Sequence, residues 1–296
     1  RDRNIDGKIL LLNKEKWLDK IGLDIRFDGS FLLQELMQFL KVKEKLEGYT
    51  EISKGKVEGT VSSPKLTAKA LMKNGNILGI EVDKVNTELY YKDGILYFKN
   101  GDINLYGGTA KASVWITLPV VVKHYVFVKV KGISSTGIFE LIKWNPNIAK
   151  GVVDGWLLSE GEIFSPKGAF VYTRKNNIPD DVRGKINWIK GEFDSSEKIY
   201  FFKSLEFALS KTKAEASGFF DSNKRYIDFK FKGKTDDINE FIVHYQKAFH
   251  GDVDFNGKLS GKSDDPEINV NFTSKLIKVD LNELVSSASK EPFTVS

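Results

Sequence analysis

The sequence predicts a mostly β protein, an elongated and curled antiparallel sheet with one short helix in each repeat of about one hundred residues. Three observations predict it. Apolar and polar residues alternate along most of the chain, turn dipeptides separate the alternating runs, and a set of landmarks recurs in register. A period of two marks a strand with one apolar and one wet face.

The alternating runs can be taken in order. Leu66, Ala68, Ala70 and Met72 lie on one side of the first, with Thr67 and Lys69 opposite. Val85, Thr87, Leu89 and Tyr91 face away from Lys84, Asn86 and Glu88. Ile103 and Leu105 come next, then Ala110, Ala112, Val114 and Ile116, then Val126, Val128 and Val130. Leu205, Phe207 and Leu209 resume the pattern, and Ala214 and Ala216 continue it before Ile227, Phe229 and Phe231. Val253, Phe255, Gly257 and Leu259 form the next run, and Ile268, Val270 and Phe272 the last. Asn74-Gly75, Asp93-Gly94, Asn100-Gly101 and Asp221-Ser222-Asn223 are expected turns between strands.

Helical spacing interrupts this pattern three times, at 30–45, 134–144 and 235–249. The first carries Leu32, Leu33, Leu36, Met37, Phe39 and Leu40. The second carries Ile138, Phe139, Leu141 and Ile142. The third carries Ile238, Phe241, Ile242, Tyr245 and Phe249, with Thr235 or Asp236 as the N-cap. Each comes after a strand expected to end in glycine, at Gly29, Gly132 and Gly233, which are 103 and 101 residues apart. The helices are expected to cover an edge or part of the apolar face, and in the third Tyr245 and Phe249 are candidates to touch a ligand.

The segments after the helices keep the same step. Gly55-Lys56-Val57-Glu58, Gly151-Val152-Val153-Asp154 and Gly251-Asp252-Val253-Asp254 share one pattern, and a proline comes later at Pro64, Pro166 and Pro266. Thr109-Ala110-Lys111-Ala112-Ser113 matches Lys213-Ala214-Glu215-Ala216-Ser217 at an offset of 104. The expected organisation is one continuous groove domain. In it, 1–29 ends a preceding repeat, 30–132 and 133–233 are complete repeats, and 234–296 is a truncated third.

Composition sets the outer bounds. A chain of 296 residues with 21 Phe, 10 Tyr and 5 Trp is not a disordered one. No run reaches the ~18 apolar residues of a membrane span, and the stretch at Pro119–Val122 is broken by Lys123 and His124. Arg1–Asp6 is polar and opens no signal peptide. The absence of an initial Met and the polar run at 286–296 suggest a piece of a longer protein. The formal charge is +5, from 45 basic and 40 acidic residues that are interspersed, so no nucleic-acid partner is expected. Without cysteine there are no disulfides, thiolate metal sites or Cys nucleophiles.

Catalytic patterns are missing too, and no enzyme, cofactor or metal is expected. His244 and His250 stand six apart across a helix end, off one face, and are read as solvated; His124 is the third histidine. Gly261-Lys262-Ser263 and Gly233-Lys234-Thr235 mimic the end of a phosphate loop, but Asn256 and Asp228 occupy the required glycine positions. Asp180-Asp181, Asp236-Asp237 and Asp264-Asp265 adjoin turn or helix-start signals, where capping is the ordinary use.

A long open sheet of this kind must curl, split or aggregate. Curling with the apolar face concave gives a gutter with a greasy floor, whereas the alternating residues would also suit a β-sandwich. A strand ending in glycine, the helix start Thr235-Asp236-Asp237-Ile238-Asn239-Glu240-Phe241, and the run Gly251-Asp252-Val253-Asp254-Phe255-Asn256-Gly257-Lys258-Leu259-Ser260-Gly261 with Pro266, Ile268 and Phe272 together resemble the AsmA/TamB-like proteins of Gram-negative envelopes. Gly55 to Leu66 and Gly151 to Phe170 are looser copies. The resemblance implies the repeating β-groove, or β-taco, architecture of bridge-like lipid transfer proteins. It further implies a periplasmic protein anchored in the inner membrane through segments outside this chain, whose groove carries phospholipid acyl chains to the outer membrane. An outer-membrane barrel is a candidate partner on the same grounds. The expected groove lining is Leu66, Ala68, Ala70, Leu89, Ile103, Leu105, Ala110, Ala112, Val114, Val128, Leu205, Phe207, Leu209, Ala214, Ala216, Phe229, Val253, Phe255, Ile268, Val270 and Phe272. The alternatives are an assembly factor that works by strand addition to outer-membrane or autotransporter proteins, and a non-catalytic sandwich module for adhesion.

Overall fold

A computed structural model describes residues 4–11, 21–35, 46–77, 79–118, 122–141, 150–174, 186–209, 211–238, 249–274 and 277–280. The chain divides into two compact units, Arg1–Ile148 with Val152–Pro166, and Ala149–Gly151 with Lys167–Ser296. Each is mostly β, and each is an open antiparallel sheet whose strands run in chain order.

The first unit holds β1 (Asn4–Leu11), β2 (Ile21–Leu32), β3 (Leu46–Thr60), β4 (Pro64–Ile77), β5 (Ile80–Lys92), β6 (Ile95–Leu105), β7 (Gly108–Thr117), β8 (His124–Ser134), the helix α1 (Ser135–Leu141) and β9 (Gly151–Gly161). The second holds β10 (Lys167–Arg174), β11 (Ile186–Ser196), β12 (Ile199–Leu209), β13 (Thr212–Asp221), β14 (Tyr226–Thr235), β16 (Val253–Lys262) and β17 (Asp265–Thr273). A separate pair of short strands, β15 (Phe249–His250) and β18 (Lys278–Val279), completes it.

Hairpin chemistry explains the chain-ordered pairing. Asp93 and Gly94 both take positive φ, 51° and 76°, as a tight turn between twisted strands requires. Asp221 Oδ1 accepts hydrogen bonds from the backbone amides of Asn223 and Lys224 at 3.0 Å, closing the β13–β14 turn.

Two expected turns prove to be bulges. Asn100 has φ 51°, yet β6 runs through it, and the register with β7 breaks between Phe98 and Gly101. Asn74 has φ 50° inside β4 and takes no register partner on β3, between Lys73 and Asn76. A positive φ next to glycine bends a strand as readily as it reverses one.

The glycines expected to end strands do not end them. β2 continues past Gly29 to Leu32, β8 past Gly132 to Ser134, and β14 past Gly233 to Thr235. Register breaks fall between Phe27 and Gly29, and between Val130 and Ile133. The first expected helix therefore begins at residue 33, with 33–35 helical and 36–45 outside the described residues. The second is α1, with 142–144 outside the described residues. Gly137 lets α1 lie against the ring of Tyr106, since a Cβ there would stand 2.3 Å from Tyr106 Cδ1. At the third, Thr235 Oγ1 accepts from the Asp237 amide at 3.1 Å, and 239–248 lie outside the described residues.

The landmarks fall on matching strands. The Gly-x-Val pattern sits on β3, on β9 and at the start of β16, while the alanine pairs sit on β7 and β13. Gly59, Gly161 and Gly261 take φ of 100°, 113° and 120°. Each lies five residues before its proline, which opens β4, immediately precedes β10 and stands second in β17. The bulge after Phe98 in β6 recurs after Phe202 in β12, at the offset of 104 that also relates the alanine pairs. On these correspondences β2 through β7 and β8 through β13 are successive copies of a six-strand pattern that restarts at β14.

Candidate functional site

In each unit the register gathers the expected lining residues on one face. In the first, Ala68 stands opposite Leu89 on β5, Ile103 opposite Ala110, Val114 opposite Phe98, and Ala112 between Gly101 and Val128. Leu66 opposes Val57, and Leu105 continues the same alternation to Gly108. In the second, Leu205 opposes Ala216, Phe207 opposes Ala214, and Leu209 opposes Thr212. Phe229 lies between Gly218 and Leu259, Val253 opposes Thr235, and Ile268, Val270 and Phe272 oppose Leu259, Gly257 and Phe255.

These faces are apolar but not deeply buried. A small cluster of Ile52, Ala68 and Ala70 is packed by Phe27, Phe31, Leu66 and Leu89. Most other large side chains on the faces stay half-exposed, Leu89, Ile103, Phe207 and Phe229 among them. The buried positions mix small side chains, such as Ala110 at 4% exposure and Ala214 at 8%, with Met72, Tyr172, Val253 and Phe255. On an uncovered sheet, short side chains are screened by taller neighbours on adjacent strands.

Aromatic rings do much of that screening, and they lie over glycines. A Cβ at Gly233 would come within 2.4 Å of Phe255 Cζ and 2.7 Å of Ala214 Cβ. Phe27 covers Gly55, Phe231 covers Gly257, and Tyr172 covers Gly151 in the same way. The rings of Phe231, Phe255 and Phe272 form a cross-strand series with centroids 6.3 and 6.4 Å apart.

Further residues share these faces without having been expected there. Phe98 belongs with Ile103, Ile52 with Val57, and Phe202 with Leu205, although each pair has opposite parity in sequence. The bulge inside each pair flips the alternation, so strict period-two counting loses the face at that point. Phe170, Tyr172 and Ile189 lie on the face in β10 and β11, which had no expected lining.

The polar content of the faces is slight. His124, read from the sequence only as one of three unremarkable histidines, is buried at 7% exposure at the start of β8, where its Nε2 lies 2.9 Å from Ser159 Oγ. The rim ring of Phe164 sits 5.7 Å from it. His250 lies in β15, and His244 lies outside the described residues. Burial pushes the Tyr172 hydroxyl above its ordinary pKa. No group of three or more metal-ligating side chains occurs among the described residues. Gly261-Lys262-Ser263 forms the β16–β17 hairpin and opens no helix, so it offers no phosphate cradle.

The opposite faces carry charge ladders. Lys190 meets Glu206 directly across β11 and β12 at 2.7 Å, and Lys232 meets Glu215 across β13 and β14 at 2.6 Å. Lys203 reaches Asp194 from the β12 bulge at 2.8 Å, and Lys258 reaches Asp228 at 2.9 Å. These faces also hold aromatic rows that alternation alone did not single out. Tyr90, Tyr97, Trp115 and Tyr125 stand on consecutive strands, with Lys99 Nζ 5.1 Å from the centre of the Tyr90 ring. Phe201, Phe219 and Tyr226 repeat the row in the second unit.

Comparison with protein-family profiles, characterised proteins and solved structures finds no match to this chain. Among the described residues no helix is long and apolar enough to cross a membrane.

Proposed function

We propose that this chain is part of a lipid conduit of the AsmA/TamB-like kind, in which acyl chains lie along the apolar sheet faces while head groups stay in water. One observation carries the reading. Within each unit the long strands all belong to one sheet, and beside it the described residues hold no second sheet of long strands, only the short β15–β18 pair, so a broad apolar face is left half-exposed. A sandwich would spend that face on its own core. An exposed apolar area of this extent marks a surface meant for a partner.

The mechanism is partition. Each methylene moved from water to the face gains about 0.8 kcal/mol. The bulges and glycine–aromatic pairs keep the face continuous across strands, and no head-group site is needed for that gain. Phospholipid as the cargo, a periplasmic location and an inner-membrane anchor belong to the same proposal through the sequence resemblance.

Mass spectrometry of organic extracts tests the reading. Protein purified without detergent should carry phospholipid in more than trace amounts. An extract free of lipid, from protein that also fails to take up fluorescent phospholipid from vesicles, counts against it.

A further inference from the structure

Gly59, Gly161 and Gly261 mark one place in three copies of the repeat, and their surroundings can be compared copy by copy. Leu23 stands opposite Gly59, His124 opposite Gly161 and Ile227 opposite Gly261. Two residues before each glycine come Val57, Ser159 and Leu259. The first and third copies thus place two aliphatic side chains on the apolar face where the middle copy places a histidine and a serine. The repeat itself does not call for that exchange. Burying two polar side chains there is costly unless they satisfy each other.

The pair is well hidden, with His124 at 7% and Ser159 at 1% exposure. Ser159 Oγ accepts from the Ser165 amide at 3.2 Å, and His124 Nε2 lies 2.9 Å from the same oxygen. Phe164, beside Ser165 in the connection 162–166, sets its ring 5.7 Å from the imidazole. These contacts hold the β9–β10 connection against the rim of the apolar face. In the first copy the equivalent amide, that of Ser63, donates to the carbonyl and hydroxyl oxygens of Thr60, neither of which titrates near neutrality.

A serine hydroxyl has a single proton to give. Among the described residues the acceptor that Ser159 meets is His124 Nε2, so the serine donates and Nε2 carries no proton. Protonating that nitrogen sets an N–H against Oγ and turns the serine proton into a buried place without an acceptor. It also leaves a charge on an apolar face. The described groups that face the ring are Ile116 of β7, Val126 of β8, Ser159 and Gly161 of β9, and Phe164, and none of them is charged or titratable. Tyr125 and Glu160 pair on the opposite face. Lys123, Glu162 and Lys167 are exposed.

We propose that His124 is a pH-sensitive latch. Neutral, it fastens the β9–β10 connection to the rim; protonated, its ring leaves for water and the connection loosens at Phe164 and Ser165. The stabilisation is present at neutral pH and is lost as the pH falls through the range in which histidines take up a proton. The latch does not depend on lipid binding.

Two measurements on the unaltered protein and one on a variant test it. At about pH 7.5, ring nitrogen NMR should show His124 protonated on Nδ1, and a proton on Nε2 would overturn the proposal. Amide exchange, corrected for its intrinsic pH dependence, reads the connection itself. Between about pH 7.5 and about pH 5 the protection of Ser165 should fall at least about ten-fold more than that of Ser63. In His124→Gln, whose carbonyl can take the serine proton but does not titrate, that difference should vanish. Equal changes at Ser165 and Ser63 in the unaltered protein, or a difference that persists in His124→Gln, would overturn the latch.

Discussion

Side-chain size is graded across the apolar faces. Gly233 lies under the Phe255 ring with the buried Ala214 beside it, while Phe207 and Phe229 stand partly in the open. Replacing Phe207, Phe229 or Val270 with Asp should lower lipid loading strongly, because a carboxylate on an apolar surface is costly whether charged or neutral. Replacing Glu206, Lys230 or Asn269 with Ala should leave loading nearly unchanged, and equal losses on both sides would show that the faces are misassigned. A second prediction separates neighbouring alanines. Trp in place of the buried Ala214 should overpack and cost about 1–3 kcal/mol in denaturant unfolding. Trp in place of the half-exposed Ala216 should leave stability near that of the parent and reduce lipid yield.

Individual strands are held together on the opposite faces by lysine–carboxylate pairs. A hydrogen bond from Lys203 to Asp194 raises its pKa above the ordinary 10.5, and Glu215 and Asp228 do the same for Lys232 and Lys258. Raised lysine values mean that this stabilisation is complete below the ordinary pKa and is lost as pH climbs through the raised one. Tyr172 acts in the same direction, because burial favours its neutral form. The melting temperature should therefore stay flat from pH 7 to 9 and decline above about pH 10.5. The exposed lysine pairs are screened by salt, so adding ~1 M NaCl at pH 7 should change it little. A steep loss of stability between pH 7 and 9 would contradict the assignment.

Every long-strand pairing within the two units joins neighbours in the order of the chain, apart from the step from β14 to β16 across the β15 segment. Contacts of this kind make stability a sum over strands and their nearest neighbours. Destabilising one place should loosen its surroundings and leave distant strands untouched. Gly233→Ala, which sets a methyl against Phe255 and Ala214, should speed amide exchange in β13, β14 and β16. Exchange in β3, β4 and β5 of the other unit should stay at the parental rate. Uniform acceleration throughout would mean that the protein unfolds as one cooperative block.

By itself the sequence determined the strand-rich class, the chain-ordered meander and the side of most alternating residues. All of these are local, because a period of two and a turn dipeptide act over a few residues. Leu66, Ala68 and Ala70, or Ile268, Val270 and Phe272, could be assigned to one face for that reason. The repeat landmarks were also legible, since glycine and proline mark backbone geometry directly. Only the tertiary structure decided where alternation changes phase. Asn100-Gly101 has the composition of a turn, yet β7 pairs on both sides of it, so it becomes a bulge and moves Phe98 onto the face of Ile103. The same holds for Gly29 and Gly132, which strands pass through because β3 and β9 offer partners beyond them. The burial of His124 and the rings over Gly55 and Gly233 likewise depend on residues from adjacent strands, and no single run of sequence contains both partners.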